Sequence, residues 1–457
     1  MRALALAALW FAAIAGASPE ADRARELIAS GDLVAARAHI NTELDAGSTS
    51  NRLLYELARL EAIEGDEARA GATLVAAVAA GFTDFYALSR DARLAATREG
   101  RTILAGRAAI LEDRGRADFE AVQRAFPKKY RFVRVDALRL QFASAFDESL
   151  TAEVIDEAVA LREWVHSNLW DAPDDPALDP WVTVLLPTPE DFVRLVGASG
   201  VGGYYDPEKR RLVSADLGPS YRHELMHVFH FRRLERLGQR RPHWFTEGLA
   251  ALHEDLDPAR DGFVPVGSWR TDIAKRRLAA GRLRKWEDLF AQDHDRFVGH
   301  RPRAQYAQSR AIAMYLHDRG LLRDVCAAFE RTVGDDPLGL AAVAAAAGGD
   351  TKQAELAFRG WLATLGTGEP DVVAETARLG LILKAGRGDG PEIERTESRS
   401  PASAARLRRR DVIRAVDGRP VRTVAEFLRA VATPGRHEVL VRRGRATPTL
   451  ILETPPD

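Results

Sequence analysis

The chain has 457 residues, which exceeds the usual size of one domain and favours two to four domains. Its 65 basic and 66 acidic residues give a formal net charge of −1, so composition offers no electrostatic reason to expect nucleic acid as a partner. The single cysteine, Cys326, excludes an intrachain disulfide, and a helical pattern around it predicts a buried thiol.

The N-terminus has the pattern of an export signal. A charged start, Met1-Arg2, precedes an apolar run that ends in the small residues Ala15-Gly16-Ala17. This pattern predicts a signal peptide over residues 1–17 and a periplasmic or extracellular protein. The apolar run is short for a membrane span, and an uncleaved anchor is the alternative. No other stretch approaches that length, so no integral membrane segment is expected after cleavage.

Residues 18–118 show apolar positions at helical spacing throughout. Two segments look alike, 21–44 with a turn at Gly31-Asp32 and 51–80 with a turn at Gly65-Asp66. Each predicts a helical hairpin, and the pair resembles tetratricopeptide-type repeats. A plain helical bundle is the alternative.

Residues 119–366 predict an α+β domain, because strands come first and helices follow. Strand-like runs occur at 133–135, 138–142, 181–186 and 202–213, the last as a hairpin. A helix is predicted at 152–169, between the second and third runs, and further helices extend to residue 365.

The candidate metal-binding and catalytic residues lie in His223-Glu224-Leu225-Met226-His227 and at Glu247. Two histidines four residues apart lie on one helix face, so both imidazoles can reach one metal ion. Glu247, which follows Pro242 on a second predicted helix, would supply a third ligand and leave one position open, as catalytic zinc requires. The sequence therefore predicts one zinc ion per chain, bound by His223, His227 and Glu247.

Other ligand schemes fit less well. A metzincin would carry a glycine three residues after the second histidine and a third histidine six residues after it, but His230 and Arg233 occupy those positions. His230 lies seven residues after His223, nearly on the same helix face, and is therefore a rival ligand.

The mechanism expected from these residues is hydrolysis. Zinc lowers the pKa of bound water to about 7, and Glu224 would act as general base for the attack of that water on a peptide carbonyl. Tyr306, at the start of a predicted helix, is a candidate donor to the developing oxyanion. The alternative for Tyr306 is a tyrosine of the core.

After Gly366 the pattern becomes rich in strands, and residues 373–453 predict a separate domain. The predicted elements are a strand-like run at 379–383, a short helix from Ser400, a strand–turn–strand at 411–421, a helix at 423–431 and two closing strands.

Together, the metal motif and the segment Trp244-Phe245-Thr246-Glu247 resemble the gluzincin metallopeptidases, in the peptidase MA-like branch. The resemblance covers about residues 132–365 and implies a zincin-like fold, zinc held by the three ligands named above, and Glu224 as base. One position departs from the thermolysin-like pattern, because an aspartate that orients a histidine is replaced by Ala251.

Residues 373–453 resemble a bacterial PDZ domain, a β-barrel-like fold. The run Leu379-Gly380-Leu381-Ile382 looks like its carboxylate-binding loop, which implies a C-terminal peptide as ligand. The glycine usual before the aspartate of the next hairpin is Arg410 in this chain.

We therefore expect an α+β multidomain protein that is an exported zinc endopeptidase acting on peptides or proteins, with the helical and PDZ modules recruiting substrates or partners. An aminopeptidase is one alternative, although no acidic group for a free amine is identified. A non-catalytic scaffold with a structural zinc site is the other, and Glu224 argues against it because a structural site needs no base.

Overall fold

The computed structural model describes residues 19–126, 130–172, 176–197, 202–239, 242–258, 260, 262–299, 302–332, 335–366, 368–386 and 389–455. The predicted signal peptide, residues 1–17, lies outside the described residues. The chain divides into a first unit (1–147, 173–213 and 228–239) and a second unit (148–172, 214–227 and 240–457). Among the described residues, no helix combines the length and apolar character that crossing a membrane requires.

Residues 19–126 are helical, as predicted. The helices are α1 (Pro19–Ala29), α2 (Leu33–Asp45), α3 (Asn51–Glu64), α4 (Glu67–Ala80), α5 (Phe85–Arg90), α6 (Ala92–Ala96) and α7 (Arg98–Ala125). Both predicted Gly-Asp turns separate helices: Asp32 and Asp66 cap α2 and α4 by accepting backbone N–H bonds, and Gly65 ends α3 at φ 88°. Helix α7 continues beyond residue 118, where the sequence suggested a domain boundary.

Strands and helices alternate in the next segment. The elements are β1 (Arg131–Val135), β2 (Leu140–Ser144), α8 (Glu148–Asn168), β3 (Val182–Leu186), α9 (Pro189–Val196), β4 (Gly203–Asp206) and β5 (Arg211–Ser214). The sheet has the order β1-β2-β3-β5-β4, with parallel β2–β3 and β3–β5 pairs. Every residue of β2 and β3 is buried, as is usual for parallel strands.

One predicted strand starts later than expected. The strand placed at 138–142 begins at Leu140, because Asp136–Leu138 form a 3₁₀ turn and Arg139 has a φ of 51°. A left-handed residue breaks the extended run, and the apolar alternation could not reveal it.

The described residues between 219 and 364 form mainly helices, joined by turns and loops. The helices are α10 (Pro219–Leu237), α11 (His243–Leu252), α12 (Trp269–Ala279), α13 (Trp286–Phe290), α14 (His294–Gly299), α15 (Pro302–Asp318), α16 (Leu322–Thr332), α17 (Leu340–Ala346) and α18 (Thr351–Thr364). Helix α15 packs against α11 and α12, and Trp244 stacks on Phe290 with ring centroids 3.7 Å apart. Cys326 is buried in α16, as predicted.

The C-terminal domain contains α19 (Val372–Leu379), β6 (Leu381–Lys384), β7 (Glu392–Thr396), α20 (Pro401–Ala404), β8 (Val412–Val416), β9 (Arg419–Pro420), α21 (Val424–Ala430), β10 (Gly435–Arg442) and β11 (Thr449–Thr454). Its sheet has the order β11-β10-β8-β7-β6, with β9 beside β8. The core includes Leu379, Ile393, Phe427 and Val439.

The strand predicted at 379–383 begins two residues late. Leu379 is the last residue of α19, and Gly380 caps that helix in the left-handed conformation at φ 72°, so the strand starts at Leu381. Arg410 has a φ of 71°. It therefore takes up the left-handed conformation that the usual glycine would provide.

Candidate metal centre

Helix α10 presents His223, Glu224 and His227 near its N-terminus. Asp216 fixes the start of the helix, because its Oδ1 accepts the N–H groups of Gly218 and Ser220 at 2.8 and 3.1 Å. The four-residue spacing places both imidazoles on one face, with ring centroids 4.8 Å apart. All three side chains are buried.

Helix α11 brings the third predicted ligand to the same point. Oε2 of Glu247 lies 3.3 Å from Nε2 of His223 and 3.6 Å from Nε2 of His227. Ligand atoms of these three residues all lie within 4.8 Å of one another. Among the described residues they are the one such group of three or more metal-binding side chains, and His230 is not part of it.

The spacing of the donor atoms fits a zinc ion. Two ligands about 2.1 Å from a tetrahedral ion lie roughly 3.4 Å apart, close to both distances between Glu247 and the histidines. Oε2 of Glu247 is buried between the two Nε2 atoms, and a buried carboxylate oxygen is costly unless a cation compensates it. Two imidazole nitrogens and one carboxylate are also a typical ligand set of catalytic zinc.

Burial and neighbouring charges set the protonation of the site. Burial would raise the pKa of Glu247, but the adjacent charges of His227 and His223 outweigh it and hold this pKa well below its ordinary value. The carboxylate therefore stays ionised, the form that binds a metal. Burial raises the pKa of Glu224, against the opposing effect of the two histidines. A raised carboxylate pKa suits a general base.

Glu254 is a residue of the site that sequence reasoning missed. Its Oε1 lies 2.9 Å from Nδ1 of His223, the ring nitrogen that faces away from Glu247. Its two oxygens also accept bonds from Nε and Nη2 of Arg270, at 2.5 and 2.9 Å. Burial alone would raise the pKa of Glu254, but His223 and Arg270 lower it to about 2. An ionised carboxylate thus orients His223.

No spacing rule in the sequence pointed to Glu254. It lies seven residues after Glu247 and beyond the end of α11, so helical periodicity does not place it on the ligand face. The available signal was weaker: two consecutive acidic residues, Glu254 and Asp255, follow the apolar stretch 248–252 after one intervening residue, His253. Buried acids need partners, and a nearby histidine is one of the few available.

The structure brings Tyr306 to the metal centre. Its ring centroid lies 6.3 Å from that of His223, and the guanidinium carbon of Arg270 lies 5.4 Å from its ring centroid. Burial, followed by the negative charges of Glu247 and Glu224, raises the pKa of Tyr306 well above its ordinary value. The phenol therefore keeps its proton and can donate a hydrogen bond.

The C-terminal residues 392–443 match the family model of the PDZ domain. The chain therefore carries a C-terminal PDZ domain, as the sequence indicated. The predicted carboxylate-binding loop, Leu379-Gly380-Leu381-Ile382, precedes the matched range, and the N–H of Gly380 donates to Ala377 within the helix cap. No curated protein matches the chain.

Proposed function

We propose that this protein is a zinc-dependent metallopeptidase, an endopeptidase of the gluzincin type, whose PDZ domain recruits protein substrates or partners. One observation carries the proposal. Three buried side chains of the kinds that bind catalytic zinc converge with tetrahedral spacing, and a buried glutamate lies between the two histidines on the same helix.

The chemistry divides among the residues of the site. A zinc ion held by His223, His227 and Glu247 would polarise a peptide carbonyl and acidify a bound water. Glu224 takes the proton from the attacking water and delivers it to the leaving amine. Tyr306 keeps its proton and donates a hydrogen bond from its phenolic O–H to the oxygen that gains charge.

Residues outside the ligand set prepare this arrangement. Glu254 fixes the ring plane and tautomer of His223, and Arg270 fixes Glu254 by a two-point interaction. The same arginine packs over the ring of Tyr306. One cation thereby constrains both a ligand and the proposed oxyanion donor, which reduces the reorganisation required during reaction.

Metal analysis and peptide cleavage by the purified full chain test the proposal. We expect one zinc per chain and cleavage of a library of internally quenched peptides, including peptides with blocked N-termini, which an aminopeptidase would reject. Glu224→Gln should retain zinc and lose cleavage, because the amide binds no proton. Glu163→Gln, at an exposed position on α8, is the matched control and should cleave like the wild type.

Two results would contradict the proposal. If the wild-type protein holds no stoichiometric zinc, the proposed metal site is wrong. If Glu224→Gln cleaves peptides as fully as the wild type, the activity belongs to another group or to a contaminant. Zinc binding without cleavage by the wild type would leave a structural zinc site beside a PDZ domain, which is the scaffold alternative.

A further inference from the structure

The helix that carries the candidate zinc ligands is bound directly to the PDZ domain. Nη2 of Arg222, the residue before His223, donates to Oε1 of Glu426 in the PDZ helix α21 at 2.6 Å. The two side chains are 3 and 4 % exposed, so the ion pair is almost completely shielded from water. Such a pair is far less screened than one at the surface.

The same guanidinium also holds the segment that orients His223. Its Nε donates to the carbonyl of His253 at 2.9 Å, and its Nη2 donates to the carbonyl of Glu254 at 2.8 Å. Its Nη1 donates to Glu157 at 3.0 Å. Arg222 therefore joins three parts of the second unit: helix α8, the backbone on which Glu254 is mounted, and the PDZ domain.

Both carboxylate oxygens of Glu426 are hydrogen-bonded. Its Oε2 accepts the N–H groups of Arg422 and Thr423 at 2.6 and 3.3 Å, which closes a capping box at the start of α21. One oxygen of this carboxylate thus fixes the PDZ helix while the other binds Arg222. A shift of α21 must therefore strain the Arg222 bonds or break them.

Further arginines fasten the PDZ domain to the same helical body. Arg414 and Arg422 each bind one oxygen of Glu153 on α8, at 2.9 and 3.0 Å. Arg429 donates to the carbonyl oxygens of Gly267 and Gly368. These contacts are charge-assisted and partly buried, and together they favour a fixed docking geometry over a flexible tether.

We infer that Arg222 is a positioning residue that couples the PDZ domain to the zinc ligands, through Glu426 on one side and the Glu254 segment on the other. The inference rests on the proposed zinc site and adds a consequence to it. The PDZ domain is a part of the metal-binding unit, and its docking contributes to zinc affinity. Because such coupling is reciprocal, zinc binding in turn stabilises α21.

The test compares zinc affinity in two PDZ variants of the full chain. Glu426→Gln removes the charge opposite Arg222, while glutamine still suits the capping box and keeps α21 intact. Asp389→Asn is the matched control: it removes a buried acid whose ion pair, with Arg442 at 2.5 Å, stays within the PDZ domain. Zinc affinity is measured by competition with a chromogenic chelator, and the ligand field by visible spectra of the cobalt-substituted proteins.

We expect Glu426→Gln to weaken zinc binding about tenfold, the lower end of the range for residues that support metal ligands indirectly, and to alter the cobalt spectrum. Asp389→Asn should bind zinc within about twofold of the wild type, with an unchanged spectrum. Wild-type affinity in Glu426→Gln, or an equal loss in both variants, overturns the inference, because the second result reflects general destabilisation.

Hydrogen exchange of the wild type provides a measurement that needs no variant. Zinc should slow amide exchange in residues 423–431 relative to the metal-free protein, and unchanged exchange there overturns the coupling even if Glu426→Gln fails to fold. The test of the coupling can be distinguished from the test of the proposed function. If zinc binds and slows amide exchange but no peptide is cleaved, the proposed peptidase function is wrong and the coupling stands. If peptides are cleaved but zinc leaves amide exchange unaltered, the peptidase function stands and the coupling is wrong.

Discussion

Glu254 offers the sharpest test of how the candidate metal centre is built. Its carboxylate accepts bonds from Nδ1 of His223 at 2.9 Å and from Nε and Nη2 of Arg270 at 2.5 and 2.9 Å. Glutamine at position 254 retains one carbonyl oxygen, which in the place of Oε1 can still accept from His223 and from Nη2 of Arg270, but its amide nitrogen cannot accept the bond from Nε of Arg270. The substitution also removes the negative charge that favours a firmly oriented imidazole.

The magnitude follows from these contacts. Loss of a carboxylate that supports a ligand histidine weakens metal binding about 10- to 100-fold, which corresponds to roughly 1.4–2.8 kcal/mol of binding free energy. Arg270 also loses its partner in a buried ion pair, a change that costs about 3–5 kcal/mol of folding stability. Since 15 % of the Arg270 side chain is exposed, we expect the lower end, about 3 kcal/mol.

The assay pairs Glu254→Gln with Asp255→Asn, a neighbouring buried acid that does not bond His223. Zinc dissociation constants come from chelator competition, and unfolding free energies come from urea titration of the metal-free proteins. Glu254→Gln should lose at least tenfold in zinc affinity, and Asp255→Asn less than threefold. An affinity for Glu254→Gln within twofold of the wild type would refute the orienting role, whatever its stability.

Three further results are expected. Tyr306→Phe should lower kcat far more than it raises KM in the peptide assay, and an unchanged kcat would exclude the phenol from the mechanism. Zinc at 100 times its dissociation constant should stabilise the wild type by about 2.7 kcal/mol in thermal unfolding, whereas no shift would mean that the folded state has no preference for the ion. Gly248→Ala should lower the free energy of unfolding by about 1–3 kcal/mol, because the added methyl would lie 2.8 Å from the carbonyl oxygen of Ser309. In the control Gly360→Ala, the added methyl meets nothing within 4 Å, so the free energy of unfolding should be unchanged or higher.

The sequence predicted what local pattern controls. The helical pairs of the N-terminal region, the hairpin of β4 and β5, and the strand–turn–strand around Asp417-Gly418 all appear where periodicity and turn residues indicated. The convergence of His223, His227 and Glu247 also followed from spacing, because four residues on one helix and a short connection to the next leave few arrangements.

What the sequence could not supply depends on contacts between distant segments. Arg222 bonds Glu426, which lies 204 residues further along the chain, and periodicity carries no information about such a pair. The starts of β2 and β6 were also misplaced, since each follows a residue with positive φ, Arg139 or Gly380. For Arg139, the residue type itself gives no signal for the left-handed conformation.

Ala251 contributes to the packing of α11. Ala251 is fully buried, and its carbonyl accepts a bond from Nε of Arg310, so this position serves the contact between α11 and α15. The carboxylate that orients His223 lies on the segment after α11, where the N–H of Glu254 donates to the carbonyl of Ala251 at 3.3 Å. Arg222 bonds the carbonyls of His253 and Glu254 and restrains that segment further. A buried cation next to His223 thus supports the loop that carries Glu254, and Glu426 of the PDZ domain in turn binds that cation.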